Sequence, residues 1–265
     1  MDNSILKKKE PFDLVKSVDR AIEILDILSS SDALLGITEI SENIGLPKST
    51  VSRLLSTLLY RGLVKQEKTT KKYGLGIKLF ELGRGFIDEL ELRDVVKPIL
   101  EELVKEINET GHFVIEDQGE VVYIEKVEST HSLRQYSRIG RKAPMHCTAV
   151  GKAMLAHKSP EEVGEIVKAK GLLKFTDKTI TSLDRLETEL QKVLDNGYAV
   201  DDEEIQELLR CIAAPIFNYN SEVIGAISIS GPTMRVKDIG SIAERVKKSA
   251  QKISELLGYK GQRVN

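Results

Sequence analysis

Cysteine is scarce in this chain of 265 residues. Two are present, too few for a disulfide framework, and a reducing, cytoplasmic setting is expected. No apolar run approaches the ~20 residues of a membrane-spanning helix, so no membrane partner is expected. Lys7-Lys8-Lys9 lack the apolar core that would follow in a secretory signal. A phosphate-cradling glycine loop, HExxH and GxSxG are all missing, which removes the usual signatures of nucleotide, metalloprotease and serine-hydrolase chemistry. Four histidines (His112, His131, His146 and His157) and two cysteines do not fall at structural-zinc spacing, so neither metal nor cofactor is expected. Internal repeats and low-complexity tracts are absent too. Nor does one sign of charge dominate: 39 basic and 41 acidic residues leave −2, with 41% hydrophobic and 30% charged residues. That composition describes a globular chain long enough for two modest domains.

The charge is unevenly placed. Residues 46–80 hold eight Lys or Arg and one acidic residue, Glu67; residues 1–80 carry +3 and the rest −5. The same region has the spacing of a winged helix-turn-helix. Thr38 is the expected N-cap of a helix running to Ile44 and stopped by Gly45. Gly45-Leu46-Pro47 is the turn, and a second helix opens near Pro47 or Lys48. Val51, Leu54, Leu55, Leu58 and Leu59 form its apolar stripe. Lys48, Ser49, Thr50, Ser52, Arg53, Ser56 and Thr57 lie opposite, donors and cations suited to phosphates and base edges. Gly62 ends the helix, and residues 63–66 and 71–75, with Lys71 and Lys72, read as a hairpin. An ordinary helical hairpin with a solvated face is the alternative, but the clustered cations favour a DNA reader. A preceding helix over residues 16–30, with Val18, Ile22, Leu25 and Leu28 on one stripe, completes a three-helix core. It also suits a two-fold pair reading two half-sites.

Residues 1–15 read as a flexible arm, 16–76 as the DNA-binding domain, 77–92 as a linker helix and 93–265 as a second domain. Pro98 is expected in the first turn or so of a helix over 94–108. Strands are expected at 113–116 and 121–124 around a turn, and at 133–139, 198–200, 211–217 and 223–230. Helices are expected at 147–157, 160–170, 182–196 and 235–257. Hairpins and helices that do not alternate regularly predict α+β, an antiparallel sheet covered by helices.

Three segments of the second domain could meet a ligand. Small residues after Pro144 open a helix whose free amides suit an anion. Residues 197–204 are followed by Arg210-Cys211. Strand alternation sends Ser228 and Ser230 to the same face. Together they would suit a small carboxylate; a helix cap and two serines solvated at a sheet edge remain the alternative from spacing alone.

From about Ser17 to Leu257 the chain resembles the IclR family of bacterial transcriptional regulators. The resemblance rests on Val18-Asp19-Arg20-Ala21, Leu46-Pro47-Lys48-Ser49-Thr50, Met145-His146-Cys147-Thr148-Ala149-Val150-Gly151-Lys152, Gly197-Tyr198-Ala199-Val200-Asp201-Asp202-Glu203-Glu204 and Arg210-Cys211-Ile212-Ala213-Ala214-Pro215-Ile216. It implies a winged-helix domain joined to a GAF-like effector domain, a homodimer or dimer of dimers, and a small organic or sugar acid as effector. It places that effector against the amides of Ala149 and Val150, with Asp201, Cys211, Ser228 and Ser230. Leu208 and Leu209 precede Arg210 where the family often has a glycine two residues before the Arg-Cys pair, and Val150 replaces a smaller residue, so pocket size and loop shape are open. The function expected is a transcriptional regulator, a repressor in the first instance, that binds a double-stranded DNA operator. The sign of regulation depends on where the operator lies. Catalysis by Cys147 beside His146, or Cys211 beside Arg210, would need an activated thiolate. Adjacent residues point in different directions, so no catalytic residue is expected.

Overall fold

A computed structural model describes residues 14–31, 33–82, 92–131 and 138–261. The chain divides into two compact units, Met1–Leu90 and Glu91–Asn265. Most of the arm, the strand expected at 133–139 and the linker helix expected at 77–92 falls outside the described residues, although helical structure is present over residues 78–82.

In the first unit α1 (Lys16–Ser30), α2 (Ile37–Ile44) and α3 (Lys48–Tyr60) precede a small antiparallel hairpin of β1 (Val64–Gln66) and β2 (Tyr73–Leu75). Leu35 bridges Tyr73 and adds a third extended segment. Ile24, Leu28, Ile40, Val51, Leu55, Leu58 and Val64 form its core. Three details correct the sequence expectation. Gly36, not Thr38, precedes α2: the Glu39 carboxylate turns back to accept the Gly36 amide at 2.6 Å, which leaves Thr38 exposed inside the helix. The buried stripe of α1 runs through Ile24 and Leu28, whereas Val18 and Ile22 are exposed, because two apolar stripes compete on this helix. Leu59 lies at the edge of the α3 stripe and remains 40% exposed.

The second unit begins with α4 (Leu92–Ile107). Pro98 sits in its second turn rather than its first, because the helix starts before Asp94. A six-stranded sheet follows, ordered β5-β4-β3-β8-β7-β6 and antiparallel throughout. Its strands are β3 (Thr110–Asp117), β4 (Glu120–Val127), β5 (Lys142–Pro144), β6 (Ala199–Asp202), β7 (Leu209–Phe217) and β8 (Val223–Pro232). Between β5 and β6 lie α5 (Ala149–Leu155), α6 (Pro160–Lys170) and α7 (Leu183–Asn196), and α8 (Ile239–Leu256) closes the unit. The closing helix begins later than expected because Asp238 accepts the Ser241 amide and caps it. Likewise Thr148 caps α5, so that helix starts two residues after Cys147.

Helices α4 and α8 pack on one face of the sheet, while α5 packs on the other beside α7. Alternation then divides β7 and β8 between two layers. Ala213 and Ala226 join α5 in the core that Leu186, Leu190 and Val193 of α7 complete. Their strand neighbours Ile212, Ile227 and Ile229 face the opposite layer and are fully buried. The fold is α+β: a helix-turn-helix unit followed by a curved antiparallel sheet with helices on both faces.

Candidate functional site

Two sites emerge, one in each unit. In the first, Gly45 adopts a left-handed conformation (φ 68°) that stops α2 and turns the chain into α3. Burial of Val51, Leu55 and Leu58 then fixes which face of α3 points outward. Lys48, Ser49, Thr50, Ser52, Arg53 and Thr57 are all exposed there, as is Lys71 in the hairpin turn. Lys72 is half-buried and shared with Glu39, 3.6 Å away. No side chain caps the α3 N-terminus and no acidic residue lies in its first turn, so nothing on the helix competes with a phosphate for that end. Thr57 donates its hydroxyl proton to the Arg53 carbonyl at 3.2 Å and so presents an acceptor outward. Lys48 and Arg53 supply the charge, the serines and Thr50 the short donors: an arrangement fit for a duplex groove.

The second site is a cavity of about 370 Å³ between the sheet and the start of α5. Ala149, Val150, Asp201, Cys211 and Ser228 all line it. Ser230 does not; it is buried on the neighbouring strand as the cross-strand partner of Cys211, and its hydroxyl donates to the Thr110 carbonyl at 3.4 Å. Gly151 makes the α5 end of the cavity possible, since a Cβ there would stand 2.3 Å from both the Cα and carbonyl oxygen of Met145. Thr148 donates to the Pro144 carbonyl at 2.7 Å and accepts the Gly151 amide at 3.2 Å, which leaves the first-turn amides of Ala149 and Val150 for the cavity.

Asp201 is the most unusual group. It is 1% exposed, and its Oδ1 accepts the Glu204 amide at 2.7 Å while Oδ2 has no partner among the described residues. Burial, reinforced by the Glu204 carboxylate and opposed by Lys152, pushes its pKa up to about 7. Lys152 is fully buried; its ammonium bonds the Val200 carbonyl at 2.6 Å and pairs with Glu204 and, at 3.4 Å, Glu189. Asp201, Thr176 and Thr179 hold the loop 203–208 through its backbone: Thr176 donates to the Glu203 carbonyl at 2.7 Å and Thr179 to that of Glu204 at 2.6 Å. Ile205 and Gln206 of that loop complete the rim with Phe175.

Sequence reasoning missed several wall residues, notably His112, Tyr123 and Arg141. On an isolated strand His112 and Tyr123 look like ordinary alternating residues, and only the sheet register makes His112 the cross-strand partner of Ser228. The thiols are unsuited to nucleophilic attack. Burial pushes Cys147 up to about 12 and Cys211 well above its usual value, so neither is a thiolate near neutrality. The His146 ring meets the Leu173 carbonyl at 3.1 Å.

Comparison with known proteins matches residues 17–68 to the IclR helix-turn-helix domain and residues 85–255 to the bacterial transcriptional regulator IclR C-terminal domain. The chain belongs to the IclR family of bacterial transcriptional regulators. This IclR-family chain is 39% identical over 253 residues to the HTH-type transcriptional regulator KdgR of Escherichia coli, covering 95% of each. It is 36% identical to the transcriptional repressor IclR of E. coli, over 94% of this chain and 92% of that one. Among solved structures, Thermotoga maritima IclR aligns with TM-score 0.77 at 33% identity, over 93% of this chain and all of the other. An IclR homologue from Microbacterium hydrocarbonoxydans, complexed with 4-hydroxybenzoate, shares the fold (TM-score 0.81, 24% identity, 91% of this chain and 98% of the other). The helix-turn-helix unit is therefore a DNA-binding element of a transcriptional regulator.

Proposed function

We infer that this regulator is a repressor that grips a double-stranded operator with α3 and the β1–β2 hairpin and releases it in response to a small carboxylate. Lys48, Ser49, Thr50, Ser52, Arg53, Thr57, Lys71 and Lys72 meet the DNA. The carboxylate occupies the cavity against Ala149, Val150, Asp201, Cys211 and Ser228, with Ser230 beside Cys211 on the adjacent strand. One observation carries the ligand half: the cavity wall holds a buried carboxylate oxygen, Oδ2 of Asp201, with no partner among the described residues. A buried polar atom left unsatisfied costs about 1–3 kcal/mol, which a ligand that exchanges a hydrogen bond with it recovers. The repressor sense is supported by the relative that bears that name, and the acid class by the homologue complexed with a hydroxybenzoate.

The division of roles follows that of the sequence: 16–76 reads DNA, 77–92 joins, 93–265 binds the effector. A homodimer, or a dimer of dimers, in the cytoplasm places two reading units on two half-sites. Effector binding has to favour one arrangement of the joint by only ~1–3 kcal/mol to change operator affinity 5–150-fold. A mobility-shift assay on the region upstream of the protein's own gene tests the reading. Arg53→Ala is expected to weaken the shift about tenfold or more with the ligand response of the cavity intact, and Ser228→Ala to blunt the ligand response with the shift intact. Equal loss of DNA binding in both variants would refute the separation.

A further inference from the structure

The loop 203–208 that borders the cavity is fastened unevenly. Glu204 is held from several sides. Its amide donates to Asp201 Oδ1 at 2.7 Å, its carbonyl accepts from Thr179 at 2.6 Å and Thr176 at 3.3 Å, and its carboxylate pairs with buried Lys152. Leu209 is fixed as well: it is buried, paired with Pro232 of β8, and its carbonyl accepts the Glu203 amide at 2.9 Å. Residues 205–208 span these two posts. The Ile205 amide reaches Asp201 Oδ1 at 3.4 Å and the Leu209 amide reaches the Gln206 carbonyl at 3.4 Å, both beyond the usual range for such bonds. The Leu208 amide donates to the Glu203 carboxylate at 3.0 Å, and the Leu208 carbonyl accepts the Thr233 amide at 2.9 Å. Gln206, Glu207 and Leu208 are exposed, yet Ile205 and Gln206 line the cavity.

The far end of this span is strained. Leu208 holds φ 61°, where the Cβ of any L-residue crowds the following carbonyl oxygen, and its side chain is 72% exposed, so packing offsets little of that strain. Such a conformation persists only where the surroundings impose it. Here the imposition is the short path of chain between Glu204 and Leu209. Swinging residues 205–208 outward breaks the two long hydrogen bonds and the Leu208–Glu203 bond, and it lets Leu208 return to negative φ. The posts stay in place, because the Lys152 pair and the β7–β8 ladder hold them. We propose that residues 205–208 are a flap on the effector cavity, pre-strained toward opening by Leu208, which sets how readily the cavity admits and releases its occupant. The gating role rests on the effector reading above; the motion itself does not. Asp201 joins the two. Its Oδ1 takes the first amide of the flap and its side chain belongs to the cavity wall, so an occupant that engages this carboxyl also acts on the flap.

Thiol alkylation of the full-length protein tests the flap without any effector. Cys211 lines the cavity, whereas Cys147 is buried and reports global unfolding. Iodoacetamide and the bulkier fluorescein maleimide are the probes, and peptide mass spectrometry follows the two thiols separately. Asparagine enters the left-handed region at low cost, so Leu208→Asn is expected to slow Cys211 alkylation about three- to tenfold, with the larger effect on the maleimide. Leu208→Ala discards the leucine side chain but keeps the strained Cβ, and is expected to stay within about twofold of the unsubstituted protein. Cys147 should react at one rate in all three. If Asn and Ala label Cys211 alike, or if Cys211 reacts no faster than Cys147, the flap proposal falls while the effector site stands. Operator binding by the alkylated protein tests the site separately: a Cys211 adduct that leaves the mobility shift unchanged counts against the effector reading and not against the flap.

Discussion

Asp201→Asn gives the sharpest test of the cavity's electrostatics. The carboxyl titrates at about 7 in the folded protein against 3.8 in an unfolded chain. Its folded-state pKa is raised, so the native state holds the proton more tightly, and stability falls as pH rises from ~4 through ~7. At 1.36 kcal/mol per unit, ionising it costs the fold about 1.7 kcal/mol at pH 5 and about 4 kcal/mol at pH 8, a difference of roughly 2–3 kcal/mol. Asparagine keeps the oxygen that accepts the Glu204 amide but cannot ionise. Its new N–H₂ group needs an acceptor, an unknown offset that does not vary with pH. The slope, rather than the absolute stability, is therefore the observable. In urea denaturation followed from pH 5 to 8, the second unit of the unsubstituted protein is expected to lose roughly 2–3 kcal/mol more than the variant. In thermal unfolding this corresponds to roughly 5–10 °C. Parallel pH profiles would refute the assignment of a protonated, strained carboxyl to the cavity wall. The variant should also lose its response to the effector, so stability at alkaline pH is gained at the expense of function.

Other expectations follow from the same geometry. Arg53→Ala removes an exposed cation without touching the core, so operator affinity is expected to fall about tenfold or more with the melting temperature unchanged, as read by fluorescence anisotropy at fixed salt. Leu55→Ala opens a cavity in the helix-turn-helix core, where Leu55 is fully buried, and is expected to cost about 2–5 kcal/mol in denaturant unfolding of the first unit. Gly151→Ala drives a methyl into the Met145 backbone and is expected to cost about 1–3 kcal/mol and distort the Ala149–Val150 amides. Effector affinity by calorimetry should therefore drop even in molecules that fold. Leu208 holds φ 61°, a conformation that strains a side chain by about 1–2 kcal/mol. Leu208→Gly is expected to raise or leave unchanged the stability of the second unit; a loss of more than about 1 kcal/mol would mean the exposed leucine makes contacts that the monomer does not show.

The helix-turn-helix was legible because its signals are local. Gly45, the Val51–Leu55–Leu58 stripe and the cations opposite lie within one helix and its flanks, and a 3.6-residue period identifies the buried face. Where two stripes compete, periodicity misjudges part of the phase: Leu28 is buried as expected, but Val18 and Ile22 are as apolar as Ile24, and only packing against α2 and α3 selects Ile24 over them. Of the cavity, the residues carried by compact motifs were found, namely Ala149, Val150, Asp201, Cys211 and Ser228. Ser230 carries the same alternation as Ser228, but the sheet register sets it opposite Cys211, one step outside the cavity lining. His112 and Tyr123 were not found, because nothing adjacent in the chain distinguishes them from strand filler.

What the amino-acid order determined alone is the chemistry available: a cationic helix face, a small-residue helix start, strands of alternating polarity. What tertiary structure decided is which of these groups converge. His112 meets Ser228 across 116 residues of chain only because β3 pairs with β8, and the Asp201 carboxyl loses its water only because Lys152, Glu204 and the loop 203–208 close over it. Capping and periodicity act within a few residues, whereas desolvation and strand register are properties of the assembled sheet, and the cavity is made of the latter.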